Sequence, residues 1–522
     1  MDENTTAVAN LLTPQQAWNR LQEHKSVYYA PYSAVYSGTP LELNMTAKHK
    51  TFWRRNGKQK IHIPLAADIA ATSSDLMFGE DPSITVVGAD EKPDEKAQKR
   101  MEKIERANCF HALMCESCES ASALGDVYLK CAWDAALSKC PRILLVQGDM
   151  AWPEYRLGMP QAIHFFTEYS YEYFKNGTVS KVIRAYELYT PGRIVTKLFM
   201  GTKVNLGNEL SPEQCAQYGI EPDIETGVSE MLAVHIPNIR PNRLFRNTYM
   251  GRSDFDGLRD MMDSLDEAYS SWMRDIRLAK ARLIVPAEFL RRKVNDMFDG
   301  DNCPPTFEFD EDVETLVALD VNADYGKDAA KITPSQFAIR AEEHAKTCSD
   351  LYRQIVQGAG YSPQTFGIDI QGMAQSGTAL HIREKKSFST CAKKRSYWQD
   401  ALENLLTAVV HLDAKVFSGE GSSDAAHVHV QFSDVFAADT ATLAQTLTLL
   451  TSAQAASTEV KVKMLHPDWD EKQIKEEIAR VVKEYAIGLT AADPAMGDYY
   501  DSDDDDGNTE DNPTDNNEQD DE

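Results

Sequence analysis

Three long helical patterns constrain this chain more than any other feature. From Ser253 to about Arg282, apolar residues recur at Leu258, Met261, Met262, Leu265, Tyr269, Trp272 and Ile276. Steps of three and four place them on one helix face. Ser253 and Asp254 read as N-cap candidates, because their side chains can accept from free N–H groups in a first turn. About 29 residues at ~1.5 Å each give roughly 44 Å, which is long for a compact domain. A second pattern opens at Thr333-Pro334, with Thr as cap and Pro in the first turn, and runs to about Gly358. A third runs from Thr378 to about Phe417, roughly 60 Å of helix.

Between the first two lies residues 283–332, a shorter-range segment with Pro304-Pro305 and the acidic run Asp310-Glu311-Asp312. Residues 358–377 are rich in Gly, Gln and Ser and read as an ordered loop or an interrupted helix. The N-terminal half is mixed. Ile61–Phe78 suits a packed helix closed by Gly79, and Asp94–Leu124 reads as one helix closed by Gly125. Residues 142–236 are strand-rich, with runs such as Ile163-His-Phe-Phe166. After 418 come a short strand, Val428 to Phe432, and two amphipathic helices, Thr440–Ala456 and Asp470–Tyr485. The expected class is α+β and helix-rich.

Charge narrows the function. The chain has 54 Lys+Arg against 81 Asp+Glu, a net of −27. From Ala491 to Glu522 there are 14 acids and no Lys or Arg, which leaves −13 on the rest. That tail reads as disordered, since it holds too little apolar surface to order itself. Duplex DNA is gripped by Lys and Arg on phosphates, so a tight general DNA binder is excluded. The chain starts Met1-Asp2-Glu3-Asn4, without the basic and apolar pattern of an export signal, and no run approaches 18 apolar residues. The nine cysteines then read as free thiols in a reducing compartment.

Catalytic signatures are missing. No phosphate-cradling glycine motif, zinc-protease motif or nucleophile elbow occurs. Cys115-Glu-Ser-Cys118, with His111 a turn earlier, has metal-ligand spacing, but it sits inside a helical pattern with no second pair; buried thiols are the reading taken. Asp501 to Gly507 resembles the start of a calcium loop but lacks its Gly and Glu at the required places. No metal and no cofactor is expected. The clearest basic patch holds Arg383, Lys385, Lys386, Lys393, Lys394 and Arg395 beside Tyr397 and Trp398, either a solvated helix face or a transient contact for phosphates.

Four segments in order resemble the portal proteins of tailed, siphophage-type bacteriophages. They are Pro64–Ala70 with Leu76–Pro82; Val234–Asn238 with Gly251–Asp254 and Leu265-Asp266-Glu267; Ser362–Gly367 with Gly377–Arg383; and Val430–Asp434 followed by Pro467-Asp-Trp469 and an acidic helix. They span roughly residues 60–487, and an acidic residue expected near Leu380 is missing. The resemblance implies a portal fold assembling as a ring, usually of twelve subunits, around a channel at one capsid vertex. It implies a wing from residues 1–250 and 359–418, with the tunnel loop at its start and the long helix after it. The stem would be helices 251–282 and 333–358, the clip 283–332 and the crown 419–490, with 491–522 as the tail. Channel residues would include Gln364, Thr365, Asp369, Gln371 and Gln375 of the tunnel loop with Lys385, Lys386, Lys393 and Lys394. The clip docking surface would use Arg291, Arg292, Lys293, Asp310, Glu311 and Asp312. Implied partners are the terminase large subunit, head-completion or adaptor proteins, the major capsid or scaffolding protein and double-stranded DNA, with no membrane. The implied location is the virion, and host cytoplasm during assembly. No catalysis is expected, ATP hydrolysis belonging to the terminase. The alternative is another capsid-associated structural protein, such as a head–tail adaptor or a minor head protein.

Overall fold

The run Ile163-His-Phe-Phe166 sets the layering of the molecule, because it feeds two cores at once. In the computed structural model the described residues are 11–38, 54–55, 58–59, 61–173, 179–278, 282–284, 291–292, 307–308, 333–335, 339–368, 377–417, 421, 423–432, 440–466, 469 and 471–492. The chain divides into two units, Met1–Ser433 and Asp434–Glu522.

In the first unit, β5 (Met159–Tyr173) lies between β4 (Ala151–Arg156) and β6 (Val179–Thr190), and β6 pairs onward with β7 (Arg193–Gly201), all antiparallel. Successive strand residues point to opposite faces. Ile163 and Phe165 therefore enter one core, while Phe166 enters another with Trp18, Tyr186 and Phe199. Both faces are covered, so the run is continuously buried rather than alternating.

The first core is closed by β2 (Asp126–Ala132), the centre of a three-stranded antiparallel sheet with β3 (Arg142–Gln147) and β8 (Ala233–Pro237). Packed on it are α2 (Leu65–Phe78), α3 (Glu95–Ala107), α4 (Phe110–Leu124) and α7 (Gly377–Val416). The α7 helix has 40 residues and spans ~60 Å. Its inward stripe, Trp398, Leu402, Leu405, Val409 and Leu412, is fully buried at steps of three and four. At its outer edge Arg100 grips the buried Asp413 with two hydrogen bonds, 2.8 and 2.6 Å. A short pair, β1 (Ser83–Val87) with β9 (His427–Gln431), completes the layer.

The second core is built on α1 (Pro14–His24), which continues through a wider turn to Ser37. Against it lie the roots of two helices that pair, α5 (Arg259–Leu278) and α6 (Ala341–Ala359). Leu258, Met262 and Leu265 meet Ile355, Val356 and Ala359 there. The second unit holds α8 (Thr440–Ser452), α9 (Thr458–Leu465) and α10 (Glu471–Ala492). Ser457 caps α9, and His466 stacks on Trp469 at 3.8 Å. No described helix is long and apolar enough to cross a membrane.

Several expected boundaries move. Residues 94–124 form two helices, not one: the Asn108 amide bonds Ile104 and Pro141 and receives Ile143 N–H, and Cys109 takes a left-handed conformation. The helix expected from Ser253 begins at Arg259, and Asp254 lies in a turn before it. Thr333–Ser335 is a strand paired with Arg282–Ile284, not a helix start, and the helix expected there begins at Ala341. The pairing of those outgoing and returning strands outweighs the local Thr-Pro cap signal. Strand 427–431, expected to open the crown, belongs to the first unit. The acidic tail beyond Ala492 lies outside the described residues.

One buried titratable group makes the fold sensitive to acid. His24 is 2% exposed inside a cage of Tyr28, Tyr29, Trp152 and Phe245. Burial pushes its pKa down from 6.5 to about 4, partly offset by the charge of Asp126. The folded state favours neutral His24, so this contribution is complete above pH 6.5 and is lost as pH falls toward 4. The loss amounts to roughly 3 kcal/mol. Urea unfolding at stepped pH should show this loss in the wild type and a flatter profile in His24→Phe; equal slopes would show that His24 does not carry it.

Candidate functional site

The chain crosses itself where α4, β8, α5, α6 and α7 converge, and glycine makes the crossing possible. Gly125 closes α4 with φ +98°, and a side chain there would strike the backbone of Arg252. A side chain at Gly251 would collide with the Gly125 carbonyl. With both bare, Asn238 N–H donates to Gly125 O at 2.8 Å, and Gly251 N–H reaches Asp126 Oδ1 at 2.7 Å.

Two buried carboxylates flank this crossing. Asp126 accepts from Tyr29 Oη (2.8 Å), His235 Nε2 (2.7 Å) and Gly251 N. Burial alone would raise its pKa, but the hydrogen bond and charge of His235, with Gly251 N–H, outweigh it and hold the carboxyl below the usual carboxylate range. Tyr155 Oη contacts the other His235 nitrogen at 2.8 Å. Asp254 is the busier acceptor. Ser122 Oγ (2.5 Å), Tyr361 Oη (2.7 Å) and Lys394 Nζ (2.6 Å) donate to Oδ2, and Asn238 Nδ2 (2.8 Å) donates to Oδ1. Lys394 also donates to Ser73 Oγ at 2.6 Å and Tyr361 Oη at 3.0 Å, so all three of its N–H donors are used. Asp254 and Lys394 side chains are both 0% exposed.

Nothing here is arranged as a nucleophile. Burial, then the charge of Asp254, pushes the Tyr361 phenol well above 10. Burial lifts the Cys391 thiol to about 11 and Cys118 to about 12, despite nearby Lys394. Among the described residues no three His, Cys, Asp or Glu side chains converge as a metal site. Cys115 is half-buried, 3.8 Å from His111 Nε2, and His111 in turn bonds Asp81 at 2.5 Å. The calcium-like segment 501–507 lies outside the described residues.

The structure divides the expected channel residues. Lys385, Lys386 and Lys393 are exposed along α7, with Lys386 Nζ donating to Gln357 O. Lys394 is a correction: it is a core cation and unavailable to a phosphate. Successive helix residues point about 100° apart, so a basic run in sequence cannot all face one way. Lys394 shares its inward face with Ser387, Cys391 and Trp398. Gln364 and Thr365 sit half-buried on the turn Pro363–Phe366, where Thr365 Oγ1 lies 2.9 Å from Ser387 Oγ. Asp369, Gln371 and Gln375 lie outside the described residues. Arg291 and Arg292 form a short strand with Phe307–Glu308, while Lys293, Asp310, Glu311 and Asp312 lie outside the described residues.

The α5–α6 pair is held differently along its length. At its root Asp266 receives Ile63 N–H and lies 2.9 Å from His62 Nδ1, and Ser270 Oγ receives Ile61 N–H. Further out Trp272 stacks on His344, and Asp275 receives Arg340 (2.8 Å) and His344 (2.9 Å).

The sequence matches the family described as phage portal protein, SPP1 Gp6-like, over residues 16–484. The chain belongs to that family. It is a phage portal protein, a structural component of the capsid. No curated protein matches it. Among solved structures it is similar to a chain in the "neck of empty GTA particle computed with C6 symmetry", at 12% identity and TM-score 0.39, covering 84% of this chain and 98% of that one.

Of the second set of segments that resemble the family, Val234–Asn238 and Gly251–Asp254 form the crossing itself, and Leu265-Asp266-Glu267 lies on α5 beyond it, so in this portal protein they tie the root of the α5–α6 pair to β2 and α4. Lys394→Met should strand the Asp254 charge and cost about 3–5 kcal/mol. Asp254→Asn combined with Lys394→Met removes both charges and should cost less. Denaturant midpoints of the two variants check this ordering.

Proposed function

We propose that this portal protein assembles as a ring of about twelve copies around a channel for double-stranded DNA, with the α5–α6 pair as stem. The match over residues 16–484 carries this reading. Two paired helices that flank residues 283–332 suit a stem with a clip at its far end, where terminase and later head-completion proteins would dock. The wing would take residues up to about 250 together with α7, and the second unit would form the crown. Packaging energy would come from the terminase, with no catalysis or cofactor in this chain. Assembly would occur in host cytoplasm, beside major capsid or scaffolding protein.

The charge distribution suits a conduit. Phosphates have to slide past, so a mostly acidic body with the sparse cations Lys385, Lys386 and Lys393 favours passage over grip. Two outcomes are expected. Native mass spectrometry of purified protein should give a closed oligomer, and a chain that stays a 58.4 kDa monomer under all conditions would oppose the reading. Lys385→Glu with Lys386→Glu should reduce DNA packaging or retention while leaving assembly intact; normal packaging would make these ordinary surface lysines.

A further inference from the structure

The two stem helices each turn a polar stripe away from the other, and the stripes are complementary in charge at matched heights. The side of α5 toward α6 carries Leu265, Tyr269 and Trp272, continued by Leu258 just before its first turn. About half a turn round lie Asp260, Ser264, Glu267, Ser271 and Arg274, all exposed. On α6 the side toward α5 carries His344, Cys348 and Tyr352. About half a turn from those lie Glu342, Lys346 and Gln357, also exposed. The stripes thus occupy opposite flanks of the pair.

Register fixes their heights. Leu258 lies against Gly358 at the root, and Trp272 lies against His344 further out. Running antiparallel, Arg274 stands level with the turn that holds Glu342, and Glu267 stands within one turn of Lys346. Copies related by rotation about an axis along these helices keep equal heights. The α5 flank of one copy would then offer an acid and a base where the α6 flank of the next offers a base and an acid. Ser264 and Ser271 keep the α5 flank low enough for close approach.

We propose that the outward stripe of α5 packs on the outward stripe of α6 in a second copy of this chain, with Arg274 meeting Glu342 and Glu267 meeting Lys346. This contact rests on the ring reading above. A polar, charge-matched interface suits a subunit that stays soluble before it assembles.

Charge exchange tests it. Arg274→Glu alone and Glu342→Arg alone should each raise several-fold the protein concentration needed for half-assembly, read by native mass spectrometry. Combining them should restore wild-type assembly. Thermal unfolding of all three should match the wild type, since both side chains are exposed. Glu267→Lys with Lys346→Glu forms a second, independent exchange, and it decides the matter if a member of the first pair fails to fold. Single variants that assemble like wild type, or an exchange no better than its worse single, would overturn the contact while leaving the portal reading intact. A wild type that forms no ring would instead sink the portal reading.

Discussion

One carboxylate, Asp254, joins the parts of the molecule that have to stay in fixed relation. Its donors come from the end of α4, the segment after β8, the turn after α6 and the middle of α7. A buried ion pair gains little by itself, because desolvation offsets the attraction. What it imposes is geometry: every donor has to arrive, or a charge is left bare in the core. The root of the α5–α6 pair and the long helix α7 are therefore set by the same few ångströms of space, and the bare glycines at 125 and 251 allow the backbones to come that close.

Rigidity at the root contrasts with exposure further out. Leu258, Met262, Leu265, Ile355 and Val356 are buried, whereas Arg274, Ile276, Glu342 and Glu343 are open. The outer part of the pair thus presents mainly charged side chains to its surroundings, while its root is anchored in apolar packing. The lysines of α7 divide between this framework and the surface. Lys394 serves the core, whereas Lys385 and Lys393 stand on the surface and Lys386, also exposed, reaches the Gln357 carbonyl of α6.

Much of this was legible in the sequence. The helical pattern from Thr378 to about Phe417 places α7 within a residue or two of its observed ends, and the Ile163–Phe166 run falls on a strand as expected, though not its burial on both faces. Other features were not legible, for identifiable reasons. Ser253 and Asp254 look like helix caps because a cap and a buried acceptor use the same oxygens; only the distant donors Lys394 and Tyr361 distinguish them. Thr333-Pro334 carries a helix-start pattern that a strand partner some fifty residues earlier overrides. Lys393 and Lys394 are adjacent letters but point to surface and core. Asp126 and His235 left no local signal, since their partnership links strands about a hundred residues apart. The family match gives the chain its portal identity, and the crossing gives Val234–Asn238 and Gly251–Asp254 a physical role in holding the root of α5 and α6.

The ring proposed above requires that the crossing at Asp254 project the α5–α6 pair of each copy toward a common axis. Electron cryomicroscopy of the purified assembly tests it most directly. The account predicts a ring whose channel is lined by the α5–α6 pairs, with Asp254 and Lys394 in contact at the base of each. A ring whose α5–α6 pairs lie on its outer rim, or a particle with no axial channel, would contradict it.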